Sequence, residues 1–211
     1  MSKVIKRRNA VASKNLILRN ATKIFSKKGY SSTSMEELAS MCDLNKAMIF
    51  YYFDSKQGLY EAVIVEVLDE IYKHLAKENE KIDDPKQELS NFITTFASFS
   101  DSHPYLPSLL LKELSDSGAK IPKTLFSHMK KLYTLFTDIL KRGEKSGDFF
   151  DVIPMIVYFM IMGTLNLMVT TKSLRDMAHE MDGLDTCSTC DMDEISDYID
   201  KKVQKLLKDK S

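Results

Sequence analysis

The stretch SMEELASMCDLNKAMIFYYF, residues 34–53, decides the fold of the N-terminal part of the chain. Ser34 stands three residues before Glu37, which is the spacing of a capping box, where serine hydroxyl and glutamate carboxylate each accept from a backbone amide of the other. Cys42-Asp43-Leu44 then predicts a tight turn, and Asn45 is a typical N-cap for a second short helix. Two short helices joined by such a turn indicate a helix-turn-helix.

Four consecutive aromatic residues, 50–53, end this stretch. Ile49 and Phe53 are four residues apart and predict the inner side of the second short helix. The outward side of this helix then holds Lys46, Phe50 and much of Tyr51 and Tyr52. Phenol hydroxyls there can bond phosphate oxygens, and ring edges can touch thymine methyl groups. The aromatic run therefore predicts both core packing and DNA contact.

Helical patterns continue on both sides of this unit. A first amphipathic helix is predicted from Ser13 to Lys28, with Gly29 as its C-terminal cap and inner residues Leu16, Ile17, Ala21, Ile24 and Phe25. After Ser55, residues spaced by four predict a longer helix: Leu59, Val63, Val67, Ile71 and Leu75. Asp84 and Pro85 open another, with Leu89, Phe92, Ile93 and Phe96 inside. Further helices are predicted at Tyr105–Leu114, Pro122–Lys145, Val152–Met177 and Asp193–Leu207.

Composition agrees with an all-α fold, because 7 glycines and 5 prolines among 211 residues are few for a many-stranded sheet. Charge is unevenly divided. Residues 1–60 hold eleven Lys/Arg against four Asp/Glu, a net charge of +7, whereas residues 61–211 carry −7. A basic head on an acidic body is expected if the head meets a polyanion; a merely solvated face is the alternative.

The N-terminal residues resemble the DNA-binding end of the TetR/AcrR family of bacterial and archaeal transcriptional repressors. The resemblance rests on FSKKGY and on TSMEELASMCDLNKAMIFYYFDSKQGLYEAV, residues 25–30 and 33–63. It implies a homodimer of all-α subunits with about nine helices each. Each subunit would have an N-terminal tri-helical helix-turn-helix and a C-terminal body that binds a small ligand and dimerises through its last two long helices. We accordingly predict a DNA-binding domain at residues 1–55 and an effector-binding and dimerisation domain at 56–211.

The same resemblance assigns contacts to the DNA. It implies phosphate contacts from Ser34, Tyr51 and Lys56, and base contacts from Lys46, Ala47, Met48 and Phe50; the outward side adds Tyr52. Asp43 replaces the glycine common in the turn, which is tolerable because aspartate can adopt a left-handed conformation. Ala47 and Met48 replace a common small-residue and threonine pair, so a different operator sequence is expected. Arg7 and Arg8, within the basic arm 3–8, either reach DNA or only aid solubility.

The body gives weaker signals about its ligand and its dimer interface. Residues 152–171 carry no charge across twenty residues, which predicts a helix buried on all sides, with a membrane span as the alternative. Gly163 and Thr164 would let a second helix approach. The last helix supplies the other candidate dimerisation residues, Ile195, Tyr198, Ile199, Val203 and Leu206. Candidate ligand-lining residues, each alternatively plain core, are Phe92, Phe96, Phe99, Tyr133, Phe136, Met155, Tyr158, Phe159, Met162 and Asn166.

Other motifs are scarce. Cys187 and Cys190 form a lone C-x-x-C, expected to be incidental, with a redox or metal switch as the alternative. The four histidines are far apart, and the sequence contains no Ser/His/Asp order, Walker loop or H-E-x-x-H motif. No candidate catalytic residues are found, so no enzyme activity, cofactor or metal site is predicted. Three cysteines and a start without a signal-peptide core predict a cytoplasmic protein.

The combined expectation is a homodimeric transcriptional repressor. It would bind a palindromic operator in double-stranded DNA and leave it when an apolar or amphipathic small-molecule effector occupies the body. An architectural or cell-cycle DNA-binding protein of the same fold without an effector is the first alternative, and a membrane-attached helical protein is the second.

Overall fold

The structure, a computed structural model, describes residues 2–107, 111, 122–182, 187 and 189–208, with side chains from residue 10 onward except that of Asp182. Within these residues the regular elements are helices joined by short turns and loops, with no strand, which confirms the all-α prediction. Contacts divide the chain into two compact units, Met1–Val67 and Leu68–Ser211. The helices, in chain order α1 to α9, are Ser2–Ser32, Met35–Met41, Lys46–Phe53, Lys56–Asn79, Pro85–Ser102, Lys123–Ser146, Pro154–Thr170, Lys172–Asp182 and Met192–Leu206.

Helix α1 is longer than its predicted bounds. It begins at Ser2 because no glycine or proline interrupts the residues before Ser13. Gly29 has φ 76° and ψ 171°, so the regular helix breaks there, where a cap was expected. Four of the predicted inner residues are buried, but Leu16 is 37% exposed and Leu18 takes its place inside.

The second unit is built around α5, α6, α7 and α9, and the C-terminal part of α4 contributes Leu68, Ile71 and Leu75 to its buried residues. Asp84 caps α5 as predicted: its carboxylate accepts from the Lys86 amide at 2.9 Å, and Pro85 follows at the first helical position. The four predicted inner residues of α5 are fully buried. Helix α9 packs on α5, where the Ser90 hydroxyl donates to Asp200 at 2.8 Å.

The predicted single helix Val152–Met177 is two helices in the structure. Helices α7 and α8 meet at Thr171 with a bend of 67°. The Thr171 hydroxyl donates to the Leu167 carbonyl at 2.6 Å, and the Thr170 hydroxyl donates to the Asn166 carbonyl at 2.9 Å. Such back-bonding by threonine side chains bends and ends helices, which explains the difference. The predicted helix at Tyr105–Leu114 falls mostly outside the described residues.

Helix α7 is apolar all round, but only one of its sides is buried in the chain, so the predicted burial on all sides is not found. Its inner residues Val157, Ile161 and Leu165 are buried, whereas Ile156, Phe159 and Leu167 are each more than half exposed. Within the described residues, no single helix is long and apolar enough to cross a bilayer, and the bent pair α7 and α8 meets the length and composition test only jointly.

Candidate DNA interface

Polar caps define the two short helices of the first unit. The Ser34 hydroxyl accepts from the Glu37 amide at 3.0 Å, and the Asn45 side-chain oxygen accepts from the Met48 amide at 2.8 Å. The predicted return bond from Glu37 to the Ser34 amide is wrong, because the Glu37 carboxylate forms an ion pair with Lys28 of α1 instead. Helix α2 is thus capped at its start and also tied to α1.

The turn between α2 and α3 has the expected left-handed residue. Asp43 has φ 52°, and the Leu44 amide closes the turn by donating to the Ala39 carbonyl at 3.0 Å. A second aspartate, Asp54, has φ 60° directly after α3. The Ser55 hydroxyl then accepts from the Gly58 amide at 2.9 Å, which caps the start of α4. Both ends of α3 are therefore fixed by short polar contacts.

The inner side of α3 is the predicted one. Ile49 is fully buried and Phe53 is 6% exposed. Nearby, the Tyr60 ring of α4 packs against Phe25 of α1 and against Tyr30, with ring centres 4.9 and 4.5 Å apart. The ring contacts join α1 to the start of α4, and the buried Ile49 and Phe53 pack the inner side of α3 within the same unit, so its opposite side is left outward.

The outward side of α3 brings together the predicted DNA-binding residues. Lys46 and Ala47 are exposed, and Tyr51 is 79% exposed. The remaining members of the predicted set, Met48, Phe50 and Tyr52, are half-buried. The Tyr51 and Tyr52 ring centres are 5.3 Å apart in an edge-on arrangement. The aromatic run thus divides between the core and the surface.

Three charged residues next to or on α3, namely Glu36, Lys46 and Lys56, make contacts within the chain. The Lys46 ammonium forms an ion pair with Glu36 of α2 and lies 5.7 Å from the centre of the Phe50 ring. The hydrogen bond from Lys46 holds the pKa of the Glu36 carboxyl below its usual range. The Lys56 ammonium lies 4.4 Å from the centre of the Tyr30 ring, and it donates to the Ser31 carbonyl at 3.4 Å.

The three remaining predicted DNA-binding residues, Ser34, Arg7 and Arg8, make none of the ion pairs described above. Ser34 is exposed and keeps its hydroxyl at the start of α2. Arg7 and Arg8 are part of helix α1, and the structure does not describe their side chains. Glu36 was not among the sequence candidates; its position two residues after the Ser34 cap is the one signal that places it near the start of α2.

The predicted ligand-lining residues of the second unit are distributed over its core and its surface. Phe92, Phe96 and Phe136 are fully buried, and the Phe92 and Phe136 ring centres are 5.3 Å apart. Tyr158 lies edge-on to Tyr133 at 5.2 Å, and burial raises the pKa of its phenol. The other members differ in exposure: Met162 and Asn166 are buried, Phe99 is half-buried, and Met155 and Phe159 are exposed.

The clefts on the described part of the second unit include two of similar volume. One of ≈ 660 Å³ lies among α4, α5 and α6, and the buried Glu88 carboxylate and its ion-pair partner Arg142 are among its lining residues. The other, of ≈ 600 Å³, lies between α7 and α9, with Met160 and Tyr198 on its wall. The ten predicted ligand-lining residues line neither of these two clefts.

The predicted dimerisation residues separate in the same way. Ile195, Ile199 and Val203 are buried inside the unit, whereas Thr164, Tyr198 and Leu206 are exposed. A β-carbon added at Gly163 would meet nothing within 4 Å, so α7 is open to solvent there in a single chain.

The cysteine pair lies between α8 and α9. Cys187 and Cys190 are joined by a disulfide, and the Arg175 guanidinium donates to the Cys187 carbonyl at 3.2 Å and to the Met168 carbonyl at 3.1 Å. Across the described residues no group of three or more His, Cys, Asp or Glu side chains is arranged to hold a metal ion.

Comparison with known proteins matches both parts of the chain. Residues 17–63 match the family described as bacterial regulatory proteins, tetR family, and residues 64–187 match the YsiA-like protein, C-terminal region. A probable HTH-type transcriptional regulator of Bacillus subtilis, YttP, is 28% identical over 141 residues, covering 66% of this chain and 68% of its own. The HTH-type transcriptional repressor NicS of Pseudomonas putida is 24% identical over 163 residues, covering 76% and 77%.

Solved structures agree on the fold. The transcriptional regulator FadR from Bacillus subtilis, solved in complex with stearoyl-CoA, superposes with a TM-score of 0.71 at 18% identity, covering 89% of this chain and 96% of FadR. The helix-turn-helix, its aromatic outward side and the two family matches lead to one conclusion. The chain belongs to the TetR family of DNA-binding transcriptional regulators.

Proposed function

We propose that the protein is a repressor that binds a palindromic operator as a homodimer and is released by an apolar or amphipathic small-molecule effector. The observation that supports this most directly is the outward side of α3, where Lys46 and the 79%-exposed Tyr51 lie opposite the buried Ile49 and Phe53. Because one recognition helix covers only half of a palindrome, each subunit would read one half-site in the major groove.

The contacts with DNA divide into two classes. Lys46, Ala47, Met48 and Phe50 at the start and outward side of α3 would meet base edges, and apolar side chains there suit thymine methyl groups. Ser34, Tyr51, Tyr52 and Lys56 would bond phosphate oxygens and set the register of the protein on the duplex. The paired arginines of α1, residues 7 and 8, would reach the adjacent backbone or minor groove.

The dimer would form through the open sides of α7 and α9. Phe159, Thr164 and Tyr198 are exposed on these two helices, and the space at Gly163 allows close approach of a second helix. An interface of this kind is isologous, so α7 and α9 of two copies would make four helices around a two-fold axis.

Effector binding is proposed for the second unit. FadR, which shares this fold, was solved with stearoyl-CoA, so the body of that protein accommodates a ligand with a long apolar part. NicS is a named repressor, which supports the same role here. Helix α4 is continuous from Lys56 to Asn79 and contributes residues to both units. A ligand that favours one position of α4 would change DNA affinity, and DNA would lower ligand affinity by the same factor.

One observation favours a second candidate. Phe92, Phe96 and Phe136 are fully buried against one another or their neighbours, which is what a packed core without an effector requires. A DNA-binding protein of the same fold that needs no effector is therefore the second candidate. For either function we propose a cytoplasmic protein that carries out no catalysis.

The test is selection from a duplex library with a randomised centre, followed by binding measurements between about 50 and 200 mM salt. The proposal expects a palindromic consensus, an affinity that falls steeply with salt, and weaker binding by Lys46→Gln. Addition of stearoyl-CoA, as a probe of apolar effectors, should release the selected duplex. A protein with no salt-dependent affinity for any duplex would refute DNA binding; retention of DNA with a range of acyl-CoA probes would favour the second candidate.

A further inference from the structure

An acidic residue stands among the proposed DNA contacts. Glu36, on the first turn of α2, forms an ion pair with Lys46, the first residue of α3. Both side chains are well exposed, at 67% and 46%. The Lys46 ammonium also lies over the face of the Phe50 ring. The Glu36 carboxylate, the Lys46 ammonium and the Phe50 ring therefore form one cluster at the N-terminal end of α3.

A carboxylate in this place is unfavourable for simple phosphate binding. Phosphate oxygens are negatively charged acceptors, and a carboxylate facing them only repels them. The base edges in the major groove, in contrast, include donors: the N4 amine of cytosine and the N6 amine of adenine. The Glu36 carboxylate can therefore make a favourable contact with DNA only with a base amine in the major groove, close to the base edges that Lys46 would contact.

We infer that Glu36 is a specificity-determining residue, which reads one G·C pair in each half-site together with Lys46. The Lys46 ammonium would donate to guanine O6 and N7, and the Glu36 carboxylate would accept from N4 of the cytosine paired with that guanine. This inference rests on the proposed function, because it presupposes that α3 enters a major groove.

The spacing of the two side chains fits one base pair. Guanine O6 and cytosine N4 are bonded to each other in the pair and so lie about 3 Å apart. Carboxylate and ammonium in an ion pair have a similar separation, so each can face its own partner. An A·T pair offers the ammonium no adjacent pair of acceptors and places a thymine methyl group beside O4.

The alternative role of Glu36 makes a different prediction. If the carboxylate only neutralises Lys46, its removal strengthens binding to every duplex alike and steepens the salt dependence. If it reads cytosine, its removal changes the ranking of sequences. The two roles are therefore distinguished by the ratio of the affinities for two duplex sequences, even if both affinities change.

Neighbouring residues provide a matched control. Glu37 follows Glu36 on α2, is ion-paired to Lys28 of α1, and is not a proposed base contact. Glu36→Gln and Glu37→Gln remove the same charge from the same helix. Any general gain in affinity for a polyanion should appear in both variants, and a change in the ranking of sequences that is seen only in Glu36→Gln reports base reading.

The experiment selects binding sites for the wild type and both variants from one randomised duplex library. Dissociation constants are then measured for the wild-type consensus and for duplexes with each G·C pair replaced by A·T. We expect Glu36→Gln to lose about tenfold discrimination at one pair per half-site, and Glu37→Gln to keep it. Lys46→Gln should lose discrimination at the same pair, and the double variant should lose no more than Lys46→Gln alone.

The outcomes are separable from failure of the proposed function. If the wild type selects a consensus but Glu36→Gln selects the same one with unchanged ratios, Glu36 does not read bases and only this inference is overturned. Equal losses in both glutamine variants would also overturn it, because charge or stability would then be the cause. Circular dichroism of each variant checks that α2 and α3 remain folded.

Discussion

Helices α3 and α7 both expose many large side chains, but of opposite chemistry. The open side of α3 carries the Lys46 ammonium and the Tyr51 phenol hydroxyl, and the Glu36 carboxylate of α2 lies beside them. Each of these groups can exchange water for another polar partner. The open side of α7 carries Ile156, Phe159 and Leu167 with no charge. Exposed polar aromatics suit a hydrated polyanion, whereas a large exposed apolar face suits another protein surface. The two helices thus predict different partners for the two units.

The largest effect is expected on α7. Phe159→Glu places a charge on the open apolar side and should raise the dissociation constant of the dimer at least about a hundredfold, because the carboxylate would be desolvated without a partner. Analytical ultracentrifugation measures the shift. Phe126→Glu on α6 is the control, since Phe126 is 57% exposed and Phe159 55%. Equal masses for the two variants would show that this side of α7 does not join two copies.

A pair of glycines tests whether that side is open within one chain. A β-carbon at Gly143 would lie 1.9 Å from the Phe149 ring, whereas one at Gly163 meets nothing within 4 Å. In the Phe159→Glu background, Gly143→Ala should lower the free energy of unfolding by about 1–3 kcal/mol through overpacking. Gly163→Ala should raise it by up to about 1 kcal/mol through helix propensity. Urea denaturation measures both, and destabilisation by Gly163→Ala would place a neighbour against α7.

The corresponding test on the first unit removes a cap. Asn45→Ala deletes the acceptor for the Met48 amide and should destabilise α3 by about 1 kcal/mol. Hydrogen exchange at the α3 amides measures the loss, and binding to the selected duplex should weaken in parallel. Asn45→Asp keeps the acceptor and should retain most of the protection. Unchanged exchange in Asn45→Ala would mean that packing alone orders α3.

The smallest effect expected is the loss of one hydroxyl. Tyr51→Phe keeps the ring but removes a proposed phosphate contact, so DNA affinity should fall by a factor of about 2 to 10. Tyr198→Phe makes the same change on the 61%-exposed Tyr198 of α9 and should leave DNA affinity as it is. Fluorescence anisotropy with a labelled duplex measures both. Equal responses would remove the chemical distinction between the two surfaces.

Local signals explain why the first unit could be predicted from sequence. The Ser34 and Asn45 caps, the left-handed turn at Asp43 and the inner pair on α3 depend on residues close in the chain, and all are found. The return bond of the capping box was wrong because Lys28, from a different helix, binds Glu37. Glu36 was missed for the same reason: its contact with Lys46 depends on how α2 and α3 approach, which no local pattern encodes.

The second unit shows where pattern reading ends. The run of apolar residues predicted one long helix, because hydrophobicity does not show that a threonine hydroxyl will bond a carbonyl of the preceding turn. The bend at Thr171 was therefore not predicted. Periodicity places Phe92 and Phe96 inside and cannot distinguish a packed core from a cavity wall, since both need apolar side chains. Likewise, it cannot say which apolar residues of α7 face their own chain and which remain for a partner.

The exposed apolar side of α7 also bears on how gene regulation responds to protein concentration. If only paired subunits grip an operator, the quantity of active repressor scales with roughly the square of subunit concentration when copies are few. Halving the subunit concentration would then cut occupancy of a weak operator by about fourfold rather than twofold. A single helix face would in this way make the genetic response to dilution sharper than the DNA contacts alone could.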